Sequence, residues 1–253
     1  MKTAVVTGGA SGIGRRTVER LLDQGWQVWS LDLSAIGLSA LAEETRAGTR
    51  LRCQQCDVSQ PVSVATAFEA ISLASPKIDA LICSAGVVRI GSLEAHTPED
   101  VDLILGVNVK GPWLTARAAA PMLRQNSSVE NPARVVIVGS IAGIRPKVGS
   151  GFYSASKAAV HVLTGIMAVE MGPSGVLVNA VAPGTIATPM AAAAAASNSS
   201  SAFKPSGVSP LGRIGEPDDV ADVILFFLSD AAKYVNGTVL PVDGGTRAAF
   251  IKT

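Results

Sequence analysis

Thr3-Ala4-Val5-Val6-Thr7-Gly8-Gly9-Ala10-Ser11-Gly12-Ile13-Gly14 is the stretch on which the reading of the fold turns. Its first four residues are short and apolar or β-branched, as in a buried strand. A glycine-rich turn follows, and a helical period begins at Ile13 and runs to Gln24. Glycine permits a tight turn and lets backbone N–H groups approach a ligand closely, while the helix presents its positive end at the same place. An anion such as a pyrophosphate suits that arrangement. A glycine-rich turn alone says little; between a strand and a helix, at the head of a βαβ series, it says much more.

The alternation continues to the far end of the chain. Further strands are predicted at Gln27–Leu31, Arg50–Cys56, Ile78–Cys83, Arg134–Val138, Val176–Val181 and Thr238–Val242. Further helices are predicted at Leu38–Ala47, Val62–Leu73, Val101–Leu123, Tyr153–Met171 and Asp218–Leu228. Several strands are nearly continuous in apolar residues, as expected where helices cover both faces of a parallel sheet. The expected fold is α/β: a doubly wound, mostly seven-stranded parallel sheet with helices on both faces, in a single domain over residues 1–253. Residues 191–201 break the rhythm, reading AAAAAASNSSS between Pro189 and Pro205. Alanine favours helix, but the Ser/Asn tail and the prolines favour a loop, so a mobile flap is expected, with a plain surface insertion as the alternative.

The 253 residues are 48% hydrophobic and 16% charged with a net charge of +1, a balance that carries no basic field for nucleic acid. No run approaches the roughly 18 consecutive apolar residues of a membrane span. The apolar run Ala4-Val5-Val6 is too short for a signal peptide. Three cysteines, an odd number without framework spacing, fit a reducing cytoplasm. Cys53 and Cys56 form a C-x-x-C within a strand-like run, so buried or half-buried thiols are expected there. His96 and His161 match no ligand spacing, and no metal is expected.

The loop spacing is Gly8-x-x-x-Gly12-x-Gly14, not the G-x-G-x-x-G of the general dinucleotide fingerprint. TGGASGIG resembles the cofactor loop of short-chain dehydrogenases/reductases, and matching motifs extend over essentially the whole chain. The resemblance implies a Rossmann-type domain, a nicotinamide cofactor and a homotetramer. In that reading Gly8, Ser11, Gly12, Ile13 and Gly14 receive the pyrophosphate. Asp32, eighteen residues beyond Gly14, ends the second strand, where a carboxylate accepts hydrogen bonds from ribose hydroxyls and repels a 2′-phosphate. Leu33 follows it, and residues 33–37 hold no Arg or Lys, so NAD(H) is expected rather than NADP(H).

By the same resemblance Asp57 and Val58 contact adenine; a turn or helix-cap aspartate before Pro61 is the alternative for Asp57. Where the family shows Asn-Asn-Ala-Gly this chain has Cys83-Ser84-Ala85-Gly86. The resemblance puts Ser84, Ala85 and Gly86 at the cofactor, the small Ala-Gly pair letting the backbone pass close to it; a serine hydroxyl must brace the sheet there, or the site is looser. Pro183-Gly184-Thr185-Ile186-Ala187-Thr188 resembles the family's P-G-x-x-x-T, in which Ile186 and Thr188 clamp the carboxamide. A substrate lid is expected at about residues 185–210.

Tyr153 and Lys157 stand four residues apart, which places them on one face of a helix. With Ser140 at the end of the fifth strand and Asn108 upstream, they match the family's catalytic set. Hydride transfer from an alcohol carbon requires the alcohol proton to move as well. A free phenol titrates near ~10, so the Lys157 ammonium, together with the positive ring of an oxidised nicotinamide, is expected to lower it; about 4 kcal/mol would suffice to bring it near ~7. Ser140 is expected to hydrogen-bond the substrate oxygen. Asn108 lies mid-helix, where a local break would open a backbone carbonyl to a water linking Lys157 to solvent.

The substrate is expected to touch Ser140, Ala142, Val148, Tyr153 and Met190, with Val87, Gly143 and Ile186 completing the wall. Arg89, Arg145 and Lys147 stand near its rim or on solvated surface. The function expected is NAD(H)-dependent oxidation or reduction of a secondary alcohol and ketone, or of a hydroxy acid and oxo acid. The alternatives are a 3-oxoacyl-thioester reductase and, in another class, a non-catalytic NAD(H)-binding regulator, which would need no acid. Gly111–Leu123 and Tyr153–Met171 carry small and apolar residues suited to packing against copies of the chain.

Overall fold

The computed structural model describes residues 1–125, 127–146, 148–196 and 209–248. Its strands are β1 (Thr3–Thr7), β2 (Gln27–Asp32), β3 (Leu51–Gln55), β4 (Ala80–Cys83), β5 (Ala133–Val138), β6 (Val176–Pro183) and β7 (Val239–Val242). They form one sheet in the order β3-β2-β1-β4-β5-β6-β7, every pair parallel. The chain winds outward from β1 to β3, returns to β4 beside β1, and winds outward again. Ligands of such sheets bind where the winding reverses, beyond the strand carboxyl ends. Register brings those ends level: Thr7 pairs with Cys83, Cys83 with Ile137 and Val138 with Val181.

The helices are α1 (Gly12–Asp23), α2 (Ala35–Thr45), α3 (Pro61–Ala74), α4 (Pro98–Leu105), α5 (Gly111–Arg124), α6 (Gly151–Met171), α7 (Pro189–Ala196) and α8 (Pro217–Leu228). Alternation along each strand divides the core into two layers. Val5, Leu81 and Val135 join Phe68, Leu114 and Met167 of α3, α5 and α6. Ala4, Val6, Ile82 and Val136 join Leu21, Leu41 and Ile224 of α1, α2 and α8. Burial on both faces explains why these strands read as unbroken apolar runs. Gly151–Ser174 has a mean hydropathy of 1.2 and the length of a membrane span, yet it lies along β6 as a core helix.

The local break expected at Asn108 within the helix predicted at Val101–Leu123 takes the form of a π-helical turn at Gly106–Lys110. Two expectations are corrected. The alanine run is helical from Pro189 to Ala196 rather than a loop. Alanine propensity wins because Pro189 occupies the first turn, where it is tolerated, and the Thr188 hydroxyl accepts from Ala191 N at 3.2 Å. The rest of the predicted flap lies outside the described residues. Cys56 is buried, but Cys53 is exposed, because β3 is a sheet edge.

Candidate active site

A cavity of about 380 Å³ opens at the carboxyl edge of the sheet, over the junction of β1 and β4. Gly8, Ser11, Gly12 and Ile13 line it on one side. Gly8 and Gly12 have φ of +67° and +53°, a region that favours glycine. A Cβ at Gly8 would lie 2.7 Å from the Ala85 backbone, and one at Gly14 would strike the Gly8 carbonyl. Gly14 therefore packs behind the loop and does not line the cavity. Ser11 caps α1 without a side-chain bond, and the first turn of α1 holds no acidic residue. These open N–H groups and the glycine cradle fit a pyrophosphate.

The neighbouring strands hold the loop. Asp32 accepts from Ala10 N (Oδ2, 3.0 Å) and Ser34 N (Oδ1, 2.9 Å), and it lines the cavity with Leu33. Ser84 N donates to the Thr7 carbonyl (3.2 Å) and Ala85 N to Thr7 Oγ1 (3.3 Å). The bracing sought in Ser84 thus comes from Thr7, and Ser84, Ala85 and Gly86 line the cavity. Asp57 and Val58 line its far end. Ser59 donates to Asp57 Oδ1 from both N (2.9 Å) and Oγ (2.7 Å), so this aspartate is a turn residue as well as a cavity residue.

Ser140, Tyr153 and Lys157 meet in the same cavity. Ser140 Oγ accepts from Ala142 N at 3.1 Å, and the hydroxyl acts on the Tyr153 phenol in the direction that favours its ionised form. Lys157 is 5% exposed, donates to the Val138 carbonyl at 2.9 Å, and lies 5.7 Å from the centre of the Tyr153 ring. Burial pushes Lys157 down to about 8. Burial also pushes the Tyr153 phenol up, partly opposed by the Ser140 hydroxyl. The Lys157 part of the expected lowering is not present in this state: the ammonium is committed to a strand-end carbonyl, and desolvation of the phenol dominates.

Asn108 is 1% exposed and does not line the cavity. Its Oδ1 accepts from Val87 N (2.9 Å), while Nδ2 donates to the Val87 carbonyl (2.9 Å) and Ser156 Oγ (3.0 Å). The amide ties the β4 loop to α6, one residue before Lys157. A Cβ at Gly86 would lie 3.4 Å from Asn108 Oδ1 and 3.6 Å from Lys157 Nζ, so the three converge there.

On the opposite side Val87, Ala142, Ile186 and Met190 line the cavity, joined by Val88, Ile90 and Ala194 of α7. Pro183, Gly184 and Thr188 line it too, the Thr188 hydroxyl being used to cap α7. Val148 is 78% exposed and outside the cavity, because the chain turns at Gly149 (φ +80°), whose carbonyl accepts from Gly91 N. Gly143 is absent from the wall as well, since it lies under α6: a Cβ there would be 2.6 Å from the Lys157 carbonyl carbon. Arg145 lines the cavity with Nη1 donating to the Thr246 carbonyl at 2.7 Å. Arg89 instead pairs with Asp100 at 3.3 Å, and Lys147 lies outside the described residues.

His161 was not anticipated. It stands one helical step beyond Lys157, and its Nε2 accepts from Ser140 N at 3.5 Å. Burial first, and then the Lys157 charge, hold it down at about 4. The signal was in the sequence: Tyr153, Lys157 and His161 follow at i+4 intervals along one stripe of α6. A search for ligand spacing does not look there.

Residues 8–247 match a family model described as enoyl-(acyl carrier protein) reductase. The chain is 33% identical to levodione reductase of Leifsonia aquatica over 98% of this chain and 95% of that protein. It is 34% identical to cyclopentanol dehydrogenase of Comamonas testosteroni over 98% and 97%. A 3-ketoacyl-(acyl-carrier-protein) reductase from Brucella melitensis, solved in complex with NADH, superposes with a TM-score of 0.88 at 30% identity, over 97% of this chain and 98% of that one. With the glycine loop and the Ser140, Tyr153 and Lys157 cluster in one cavity, these likenesses place the chain in the short-chain dehydrogenase/reductase family.

Proposed function

We propose that the protein is an NAD(H)-dependent oxidoreductase interconverting a secondary alcohol and its ketone, with Tyr153 as general acid/base. The observation that carries this reading is a single cavity joining the glycine cradle and Asp32 to Ser140, Tyr153 and Lys157. The Brucella reductase solved with NADH supports the choice of nicotinamide, and Asp32 supports NAD(H) over its 2′-phosphate form. Gly8, Ser11, Gly12 and Ile13 would hold the pyrophosphate, Asp32 the ribose, Asp57 and Val58 the adenine, and Ile186 and Thr188 the carboxamide. When bound, the group supplies the hydride acceptor or donor.

The chain's own residues move the proton. Tyr153 takes it from the substrate hydroxyl during oxidation and returns it during reduction. Ser140 Oγ donates to the substrate oxygen as negative charge develops. The phenol is held high by burial, so its ionisation relies on Lys157 turning from the Val138 carbonyl toward the site. Both N–H groups of the Asn108 amide are already used. The water that links Lys157 to solvent in this reading therefore rests on a backbone carbonyl of the π-helical turn.

The apolar wall suits a hydrocarbon ketone, and the similarity to cyclopentanol dehydrogenase makes cyclopentanol the first substrate to try. NADH formation from cyclopentanol and a panel of secondary alcohols and hydroxy acids tests the reading; no turnover with any, alongside tight NAD binding, would favour a binding protein instead. The likeness to a 3-ketoacyl reductase keeps 3-oxoacyl thioesters as the second reading, tested in the reductive direction. A homotetramer is proposed from the apolar residues that α6 and α5 leave exposed: Val162 (65%), Ile166 (47%), Val169 (77%) and Trp113 (44%). Sedimentation as a monomer would refute it. The three free thiols support a reducing cytoplasm.

A further inference from the structure

We infer that His161 is a positioning residue for Ser140: the imidazole holds the serine backbone and thereby fixes where its hydroxyl points. The inference rests on the proposed role of Ser140 at the substrate oxygen. α6 sends Tyr153 and Lys157 into the cavity and tucks His161, one turn further on, beneath the loop that follows β5. There the sheet ladder stops. Gly139 N still donates to the Val181 carbonyl at 2.8 Å, whereas the next N–H, that of Ser140, is directed at His161 Nε2 at 3.5 Å. Ser140 is only 8% exposed, and a buried backbone donor needs an acceptor.

The loop is shaped around the ring. A Cβ at Gly139 would collide with His161 Nε2, and one at Gly143 would lie 2.8 Å from Cε1. Glycine at both positions leaves a slot that an imidazole fills. A ring in that slot accepts a hydrogen bond only when neutral. The two causes already described keep it neutral at ordinary pH. The Ser140 hydroxyl in turn accepts from Ala142 N and shares the cavity with Tyr153, so a shift of the serine backbone disturbs the pair at the reacting centre.

The test compares His161→Leu, which removes the acceptor, with His161→Gln, whose amide oxygen reaches a similar position, each alone and combined with Ser140→Ala. One readout is the phenolate absorbance titration of Tyr153 in a Tyr234→Phe background, which leaves Tyr153 as the only tyrosine. The other is kcat and KM with cyclopentanol and NAD. His161→Leu should raise the Tyr153 midpoint and lower kcat on the order of tenfold, with KM for NAD unchanged. His161→Gln should restore most of both, and in the Ser140→Ala background His161→Leu should change neither further. Equal behaviour of Leu, Gln and wild type, or an effect of His161→Leu that persists undiminished without the serine hydroxyl, overturns the inference. If Ser140→Ala alone leaves kcat intact, the proposed function fails instead, while the titration still judges His161.

Discussion

Asn108→Ala separates two roles for one residue. If the asparagine served only to hold a catalytic water, its removal would cost activity and leave the fold nearly untouched. The structure gives it three hydrogen bonds at 2.9–3.0 Å in a position 1% exposed. Truncation strands the part-buried Val87 N–H and carbonyl, each at the low end of the about 1–3 kcal/mol that an unsatisfied buried group costs. The lost bond to Ser156 adds about 1 kcal/mol, and the void adds a little more. At that low end the sum is about 3–4 kcal/mol, a large share of the roughly 5–15 kcal/mol that stabilises a typical domain. Urea denaturation followed by circular dichroism should show a markedly lower midpoint at unchanged slope. Asn108→Asp should fall in the same direction, because it keeps the acceptor for Val87 N but sets a carboxylate oxygen against the Val87 carbonyl. A stability loss below about 1 kcal/mol in Asn108→Ala would refute the clamp.

Further outcomes are expected at neighbouring positions. Tyr153→Phe should abolish turnover while NAD(H) affinity, measured by NADH fluorescence, stays close to wild type; residual turnover within about tenfold, or ~1.4 kcal/mol, would remove Tyr153 from the chemistry. Asp32→Ala should weaken NAD(H) binding and improve NADP(H) binding, and an unchanged ratio of the two would show that the carboxylate does not read the ribose. Gly14→Ala places a methyl against the Gly8 carbonyl and should lower both stability and cofactor affinity, checked by thermal melting with and without NAD. His161 is depressed to about 4 from 6.5, so the folded state binds fewer protons than the unfolded chain between those values. Its contribution to stability is complete above pH 6.5 and lost as the pH falls through 4. His161→Gln should therefore flatten stability against pH in that window, and parallel curves would contradict the assignment.

The alternation of apolar runs and helical periods was enough to read the sheet, because β1, β4 and β5 are buried on both faces and say so in their composition. Ser140, Tyr153 and Lys157 were reached through their resemblance to a family pattern, and the glycine turn through its place between strand and helix; the structure brings all of them to one cavity. What escaped depended on where segments lie in space. The exposure of Cys53 follows from β3 being an edge, a matter of strand order that no local pattern records. Val148 faces outward because of the turn at Gly149, and a loop has no period from which to read a face. The alanine run carried opposing local signals, and the hydroxyl of Thr188 decided between them. The commitment of Lys157 to the Val138 carbonyl follows from β5 ending beneath α6, which spacing alone does not disclose.

The π-helical turn at Gly106–Lys110 has a consequence for how the chain tolerates changes of length. A π turn accommodates one residue more than an α-helix would across the same stretch. Deleting any single residue there, even a chemically idle one, lets the hydrogen bonds close up into regular α-helix. Each residue of an α-helix advances the chain by about 100°. The π turn absorbs that advance, so the deletion would leave α5 in phase with α4, and Leu114, Ala119 and Leu123 would stay buried. What it would remove is the widened turn at whose middle Asn108 sits. The extra residue thus serves the placement of one side chain rather than the direction of the helix that follows.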